Sequence, residues 1–298
     1  MKQNNFFQLG SVNGIEEVVN LVKKLDIRVV MYNTYDVITK PDRTGVNPQT
    51  IQVLNELASQ GISNFVVSNA SALKTKLMSK YGGPDGLVEG KNIVKFRTAG
   101  GLLSDYVAEK YPGGGKYHTF CRLNEPVFTP HGWENTEDEH MAKFIYIGIT
   151  QWYNPVTGKW EDMLNGEKFE PRLRELAELD LPFVVANGGD EFAIENGVHV
   201  YRQGSAIKYL KSLGVKNIIH FAKPGKALYE SAMKGLDVRP EQVLYVGDTI
   251  PVDGKFIIEN GGHFACIRWG DSGKRAREMG ISIEEFAARY GYPQTIFL

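Results

Sequence analysis

"RVVMYNTYDVIT", residues 28–39, is the stretch that decides the fold. An apolar run ends abruptly in short polar residues at Asn33, Thr34 and Asp36, and the chain turns apolar again at Val37. A β-branched apolar run of this length predicts a buried strand. The polar residues after it predict a reactive strand end, because ligands of open α/β sheets bind at the carboxyl ends of the strands.

The segments around this stretch alternate between strand-like and helix-like patterns. Strands are predicted at residues 27–33, 63–71, 217–222, 242–248 and 263–269. Helices are predicted at residues 14–25, 47–61, 204–214, 226–236 and 254–262. This order predicts an α/β protein with a Rossmann-like, doubly wound parallel sheet as its core.

The middle of the chain, residues 84–203, is rich in glycine and aromatic residues and has strand and helix patterns of its own. We interpret it as an inserted α/β cap domain. The core is then formed by residues 1–83 and 204–298 together, with the cap inserted between these two parts.

The composition excludes several classes of function. Of 298 residues, 23% are charged and the net charge is −1, so nothing in the overall charge favours a nucleic-acid surface or an anionic membrane as partner, and no run of basic residues is present. Two cysteines do not make a disulfide framework, and no stretch reaches the ~20 apolar residues of a membrane helix. The six histidines lack the spacing of a zinc site. We therefore expect a soluble, cytoplasmic protein.

Polar side chains follow four of the predicted strands. They are Asn33, Thr34, Tyr35 and Asp36, then Ser68 and Asn69, then Lys223, and finally Asp248 and Asp253. An ammonium group with hydroxyl and backbone N–H donors suits a phosphoryl group. Carboxylates at the same sheet edge suit Mg²⁺, which prefers oxygen ligands. The combination is typical of phosphoryl transfer.

Three stretches, in this order, carry a resemblance to a known family. They are "VVSNAS" (66–71), "FAKPGKALYESAM" (221–233) and "VLYVGDTIPVDG" (243–254). With the position of the cap, they resemble the haloacid dehalogenase-like superfamily, and within it the class IIA phosphatases. The resemblance implies a hydrolase that uses Mg²⁺ and binds a small phosphorylated metabolite between core and cap. Dimers through the cap are common in similar proteins, so the resemblance offers a homodimer and leaves the oligomeric state open.

The first motif of that family departs from its usual pattern here. The family reads Asp-x-Asp-Gly, whereas this chain has Asn33, Tyr35 and Asp36 at the three specified positions. The resemblance places Asn33 at the position of the nucleophile and Tyr35 at that of the acid/base, and both at positions that ligate the metal. A neutral amide is a poor nucleophile, so we expect impaired hydrolysis.

The remaining motifs match residue by residue. The resemblance implies that Ser68 and Lys223 bind the phosphoryl group and assist catalysis, and that Asn69 shapes the substrate loop. It implies that Asp248 ligates the metal and that Asp253 supports the metal or orders its loop.

Three further residues complete the predicted substrate site. "ANGGD" (186–190) resembles the substrate loop of the family, which implicates Asn187 and Asp190. Thr34 offers a hydroxyl beside Asn33.

Several alternatives stay open at the level of sequence. The chain could be a natural degenerate member that still binds Mg²⁺ and a phosphorylated compound, or an active phosphatase captured as an Asp-to-Asn variant at position 33. Asp36 could serve as a replacement nucleophile. The rival class is a non-catalytic binding or regulatory protein on the same fold.

Overall fold

The computed structural model describes residues 14–40, 44–121, 127–148, 151–154, 159–162, 166–188, 192–195, 198–201 and 203–298. The strands are β1 Val29–Tyr32, β2 Ser63–Ser68, β3 Lys95–Thr98, β4 Gly115–Phe120, β5 Trp133–Asn135, β6 Ile145–Ile147, β7 Gln151–Asn154, β8 Lys159–Asp162, β9 Phe183–Val185, β10 Phe192–Glu195, β11 Val198–Tyr201, β12 Ile218–His220, β13 Val243–Gly247, β14 His263–Cys266 and β15 Ile296–Phe297. The helices are α1 Glu17–Lys24, α2 Pro48–Ser59, α3 Lys74–Tyr81, α4 Ala99–Lys110, α5 Gly166–Ala177, α6 Gln203–Ser212, α7 Ala227–Met233, α8 Lys255–Ile258, α9 Asp271–Glu278 and α10 Ile283–Arg289.

A six-stranded sheet has β1 near its middle, in the order β15-β14-β13-β1-β2-β3. β1 pairs in parallel with both β13 and β2, and Tyr32 at its end lies opposite Val246 and Val66. This register brings the carboxyl ends of the three strands to the same edge of the sheet. The residues that follow them, Asn33 and Asp248 included, are thereby placed side by side.

The central strands are apolar because helices cover both faces of such a sheet. All four residues of β1 and all five of β13 are buried. The helix α2 begins where the sequence signals it, since the Asn47 side chain accepts a hydrogen bond from the Gln49 N–H at 3.1 Å and Pro48 occupies the first turn.

A second sheet has the order β12-β9-β6-β4-β5, and its strand pairs are parallel. Side chains alternate between its two faces. Ile145 and Ile147 of β6 pack into one apolar cluster with side chains of α5 and α6, while Tyr146 packs into another with side chains of α4. Two antiparallel hairpins, β7–β8 and β10–β11, accompany this sheet in sequence.

Contacts divide the chain into two compact units. The first contains the described residues up to Ser68, with Lys74–Arg97 and Pro224–Leu298. The second contains Asn69–Leu73 and Thr98–Lys223. Both units are α/β and Rossmann-like, as the alternation of the sequence predicts.

One part of the predicted topology was wrong. The strand predicted at residues 217–222 was assigned to the sheet of the first unit, but β12 pairs with β9 in the second. Ile218 packs there against the cluster that includes Phe183 and Leu210. The domain bounds, with the cap at residues 84–203, stay a prediction; β3 within that range pairs in the first sheet. No helix in the described part of the chain is long and apolar enough to cross a membrane.

Candidate functional site

Asn33 and Asp248 meet at the carboxyl ends of β1 and β13. The backbone N–H of Asn33 continues the ladder by donating to the Val246 carbonyl at 2.9 Å. Its side-chain Nδ2 donates to Asp248 Oδ1 at 2.7 Å and to the backbone carbonyl of Tyr35 at 3.4 Å. Two oxygen acceptors therefore converge on one small donor group.

Asp253 orders the loop that carries Asp248. Its Oδ2 accepts hydrogen bonds from the backbone N–H groups of Asp248 at 3.1 Å and Thr249 at 3.2 Å. A Cβ at Gly247 would lie 2.5 Å from the same oxygen, so glycine is required there by close approach. Of the two roles that the resemblance offers Asp253, these contacts are those of loop ordering.

The carboxylate of Asp248 is buried among other acids. Burial raises its pKa to about 8, and the charges of Asp253, Asp271 and Asp36 add to the rise, while the hydrogen bond from Asn33 opposes it. These surroundings favour the neutral, protonated form of the Asp248 carboxyl group.

The start of α9 supplies backbone hydrogen-bond donors to Asp248. The backbone N–H of Asp271 donates to Asp248 Oδ2 at 3.3 Å, and that of Ser272 donates to the Asp248 carbonyl at 3.0 Å. Gly270 lets this segment approach, since a Cβ there would lie 2.3 Å from the Cβ of Asp248. Helix N-termini favour negative charge, which suits this contact.

Asp36 lies in the turn after β1 and has a left-handed backbone, with φ 61° and ψ −11°. Its N–H donates to Thr39 Oγ1 at 3.1 Å, and its carbonyl accepts from Trp269 Nε1 at 3.0 Å. Its Oδ2 lies 3.5 Å from Lys274 Nζ, and its buried Oδ1 has no hydrogen-bond partner among the described residues. The carboxylate is thus held in place with one oxygen unsatisfied.

The predicted hydroxyl groups lie at the ends of two neighbouring strands, β1 and β2. Thr34 is fully buried, and its Oγ1 finds no partner within the part of the chain that the structure describes. Ser68 is buried at the end of β2, the strand beside β1. The Tyr35 side chain is half-buried, and its carbonyl accepts the hydrogen bond from Asn33 described above.

Asn69 and Lys223 are brought together within the second unit. Asn69 Oδ1 accepts from the Lys223 N–H at 2.6 Å, and Asn69 Nδ2 donates to the Lys223 carbonyl at 3.1 Å. This two-way pairing fixes the backbone of Lys223. Asn187 follows β9 of the same unit, and Asp190 lies outside the described residues.

No family model and no curated protein matches the chain by sequence. Solved structures match over most of its length. A hydrolase of the haloacid dehalogenase-like family from Brucella suis matches with a TM-score of 0.64 and 18% identity over 84% of this chain and 92% of the other. A p-nitrophenyl phosphatase from Archaeoglobus fulgidus gives 0.63 and 18%, over 91% and 95%. A possible sugar phosphatase of the same superfamily from Cytophaga hutchinsonii gives 0.63 and 15%, over 93% and 95%.

The chain has the haloacid dehalogenase-like fold. The resemblance predicted from the sequence is confirmed at this level.

Within the haloacid dehalogenase-like fold, sequence reasoning missed the segment Trp269–Lys274. It contacts Asp36 through Trp269 and Lys274, and Asp248 through Gly270 and Asp271. The available signal was its place directly after β14, a strand of the same parallel sheet, in a polar stretch that contains glycine. Strand ends of one parallel sheet share an edge, so this loop belonged with those that follow β1, β2 and β13.

The donor set at the ends of β1 and β13 fits a divalent cation in part. Asp248 Oδ1 and the Tyr35 carbonyl already share one positively polarised group, the Asn33 amide. Among the described residues, however, no group of three or more His, Cys, Asp or Glu side chains could hold a metal ion. A hard cation here therefore needs amide and carbonyl oxygens and water besides a carboxylate, which are ligands that Mg²⁺ accepts.

Proposed function

We propose that the chain is a phosphatase-type protein of the haloacid dehalogenase-like superfamily that binds Mg²⁺ and a small phosphorylated metabolite. Its hydrolysis is slow because Asn33 replaces the nucleophilic aspartate. The observation that carries this proposal is the 2.7 Å contact between Asn33 Nδ2 and Asp248 Oδ1 at the ends of adjacent parallel strands. It puts an amide beside a buried carboxylate at the edge where such sheets bind ligands.

The residues at this edge would have two roles, as ligands of the metal and as donors to the phosphoryl group. Asp248, the carbonyl of Tyr35 and the amide oxygen of Asn33 would hold Mg²⁺, which would supply positive charge to the phosphoryl oxygens. Thr34 and Ser68 offer hydroxyl donors to the same oxygens.

Lys223 would neutralise phosphate charge, and Asn69 holds its backbone for that role through hydrogen bonds of 2.6 and 3.1 Å. Asn187 and Asp190 would contact the rest of the substrate. The second unit, which contains these residues, would then act as the cap.

The missing step is nucleophilic attack. The carboxamide of Asn33 is uncharged and weakly nucleophilic, and its nitrogen is engaged by Asp248. Binding of a phosphate ester does not need a nucleophile, so affinity survives while turnover is low.

One observation favours a second candidate, a non-catalytic binding protein. The hydrogen bond from Asn33 gives Asp248 Oδ1 a donor without any metal. The two residues could therefore serve only to join the ends of β1 and β13.

A panel of phosphate esters, starting with p-nitrophenyl phosphate, tests the two candidates in Mg²⁺ with wild type, Asn33→Asp and Asn33→Ala. Turnover that appears or rises strongly only in Asn33→Asp supports the proposal. Equal turnover in wild type and Asn33→Ala shows chemistry that does not use residue 33 and overturns the assigned cause of slow hydrolysis. No turnover in any variant, with no phosphate ester bound by calorimetry, favours the binding protein.

A further inference from the structure

Trp269 links two parts of the first unit that the sheet keeps apart. It follows β14, whereas the turn that contains Asp36 follows β1, and β13 lies between these two strands. Strands two places apart in a sheet are separated by roughly 10 Å. Trp269 and the loop that carries it span this gap, since the indole Nε1 donates to the Asp36 carbonyl at 3.0 Å. Tryptophan suits this contact because it carries a hydrogen-bond donor on a large ring system.

The contact from Trp269 acts on one acceptor of the Asn33 amide. The Asp36 carbonyl belongs to the peptide unit after that of Tyr35, whose own carbonyl accepts the 3.4 Å hydrogen bond from Asn33 Nδ2. Asp36 has a left-handed φ of 61°, which most residues avoid. A backbone in an unfavourable conformation persists only where surrounding contacts fix it. Trp269 therefore helps to hold the Tyr35 carbonyl in place.

Ser272 holds the loop that carries the other acceptor, Asp248. Ser272 is fully buried, its N–H donates to the Asp248 carbonyl at 3.0 Å, and its Oγ accepts from the Ile250 N–H at 2.8 Å. Asp253 accepts from the N–H groups of Asp248 and Thr249. Asp253 and Ser272 together therefore engage three successive N–H groups of this loop.

A tightly packed turn sets the spacing between Trp269 and Ser272. At Gly270 and at Gly273 a Cβ would overlap neighbouring atoms, so the segment fits only with glycine at both positions. Trp269 and Ser272 are thus presented from one compact segment, and each of them contacts the loop at the end of a different strand.

We propose that Trp269 and Ser272 are positioning residues of the site. Together they fix the two oxygens, Asp248 Oδ1 and the Tyr35 carbonyl, that converge on the Asn33 amide. This inference rests on the proposed function, which assigns both oxygens to the binding of ligand.

The pairing of β1 with β13 does not by itself fix these oxygens. The register places the backbones of residues 33 and 248 side by side, but both oxygens lie beyond the last ladder hydrogen bond of their strands. The segment after β14 contacts both loops and so sets one relative to the other. Such control matters because a displacement of about 1 Å can lower a rate by about 10²-fold.

The first test observes the Asn33 side-chain amide by heteronuclear NMR of the full chain in EDTA. Its resonance is identified by its disappearance in Asn33→Ala. Trp269→Phe and Ser272→Ala each remove one of the two side-chain contacts. We expect the resonance to move toward the position of solvent-exposed asparagines in both variants. It should stay in place in two matched controls, Trp133→Phe and Ser104→Ala.

The controls change the same residue types at buried positions of the second unit. Trp133 Nε1 has no hydrogen-bond partner within the described ranges, and Ser104 Oγ donates to the Val127 carbonyl at 2.6 Å. They therefore report the effect of losing a buried indole or hydroxyl elsewhere in the fold.

The second test measures turnover of p-nitrophenyl phosphate with Mg²⁺ in Asn33→Asp, which supplies the nucleophile that the proposed function requires. Adding Trp269→Phe or Ser272→Ala should lower kcat by about tenfold and change KM by less than about threefold. A merely structural role would lower stability without this difference between kcat and KM.

Three results would overturn the inference and leave the proposed function standing. They are an Asn33 resonance that does not move in the folded variants, an equal movement in the controls, and a kcat within about twofold of the Asn33→Asp parent. If Trp269→Phe or Ser272→Ala does not fold, the other variant decides.

An Asn33→Asp parent without any turnover would instead overturn the proposed function. The NMR result would then decide alone whether Trp269 and Ser272 fix the contact between Asn33 and Asp248.

Discussion

Asn33→Asp would place an acid where the structure has an amide donor 2.7 Å from Asp248 Oδ1. Two full charges at that distance repel by about 6 kcal/mol at an effective dielectric constant of 20. The metal-free pair therefore keeps one proton, as closely spaced carboxyl pairs do.

The sign of the pH dependence follows from the proton count. In wild type the pKa of Asp248 is raised to about 8, so between the ordinary carboxyl range and pH 8 the folded state binds more protons than the unfolded state. Its contribution to stability falls by about 1.4 kcal/mol per pH unit there and levels off above pH 8. In the Asn33→Asp variant the two carboxyl groups keep their shared proton above pH 8, so the stability of the folded state continues to fall there.

We expect the metal-free variant to match wild type near pH 7 within about 1 kcal/mol, and to be less stable by about 1.4 kcal/mol at pH 9. Urea unfolding in EDTA at both pH values measures this difference. Asn33→Ala is the control, because it loses the hydrogen bond that lowers the pKa of Asp248 without adding an acid. It should diverge from wild type at pH 9 by less than Asn33→Asp does. Mg²⁺ in excess should remove the deficit at pH 9 by neutralising both carboxylates.

Parallel pH profiles for wild type and Asn33→Asp in EDTA would contradict this reasoning. They would show that residue 33 and Asp248 do not share a proton, and hence that the strand-end contact does not exist in solution.

Three further changes test other contacts of the site by urea unfolding. Gly247→Ala should cost about 1–3 kcal/mol because its Cβ would press on the Asp253 carboxylate, whereas Gly45→Ala, with open space around it, should cost much less; equal effects would refute the close approach. Asn69→Ala should cost about 1–3 kcal/mol, since it leaves both backbone groups of Lys223 without their partner, and an unchanged midpoint would contradict that pairing. Tyr245→Phe should cost about 1 kcal/mol, because it deletes the 2.8 Å hydrogen bond from the hydroxyl to a carbonyl of β2; a stabilised variant would count against that bond.

Local patterns in the sequence were sufficient to predict most of the elements. The apolar run before Asn33 became β1, and the Asn47-Pro48 signal became the start of α2, because burial and capping depend on residues close in sequence. The choice of sheet for Ile218–His220 could not be made this way. A short apolar strand fits either sheet, and its pairing with β9 depends on packing against residues far away in sequence.

In the site, too, some features could be predicted from local sequence and others depend on residues distant in the chain. The motifs predicted that residues 33 and 248 follow strands of one sheet, and the register of β1 with β13 then brings them together. The state of Asp36 could not be predicted, since its left-handed backbone and its unsatisfied Oδ1 arise from contacts with the segment after β14. The resemblance itself offered only a glycine at that position.

The place of β1 between β2 and β13 has a consequence for synthesis on the ribosome. β1 and β2 emerge early, whereas β13 begins only at Val243, after the whole second unit has been made. Until then one side of β1 has backbone groups without their final partner, and open strand edges of this kind invite pairing with other chains. Nascent or prematurely terminated polypeptides that stop before Val243 therefore expose an unpaired edge of β1, the strand that leads into Asn33. We expect chaperones that bind extended apolar segments to bind at this strand.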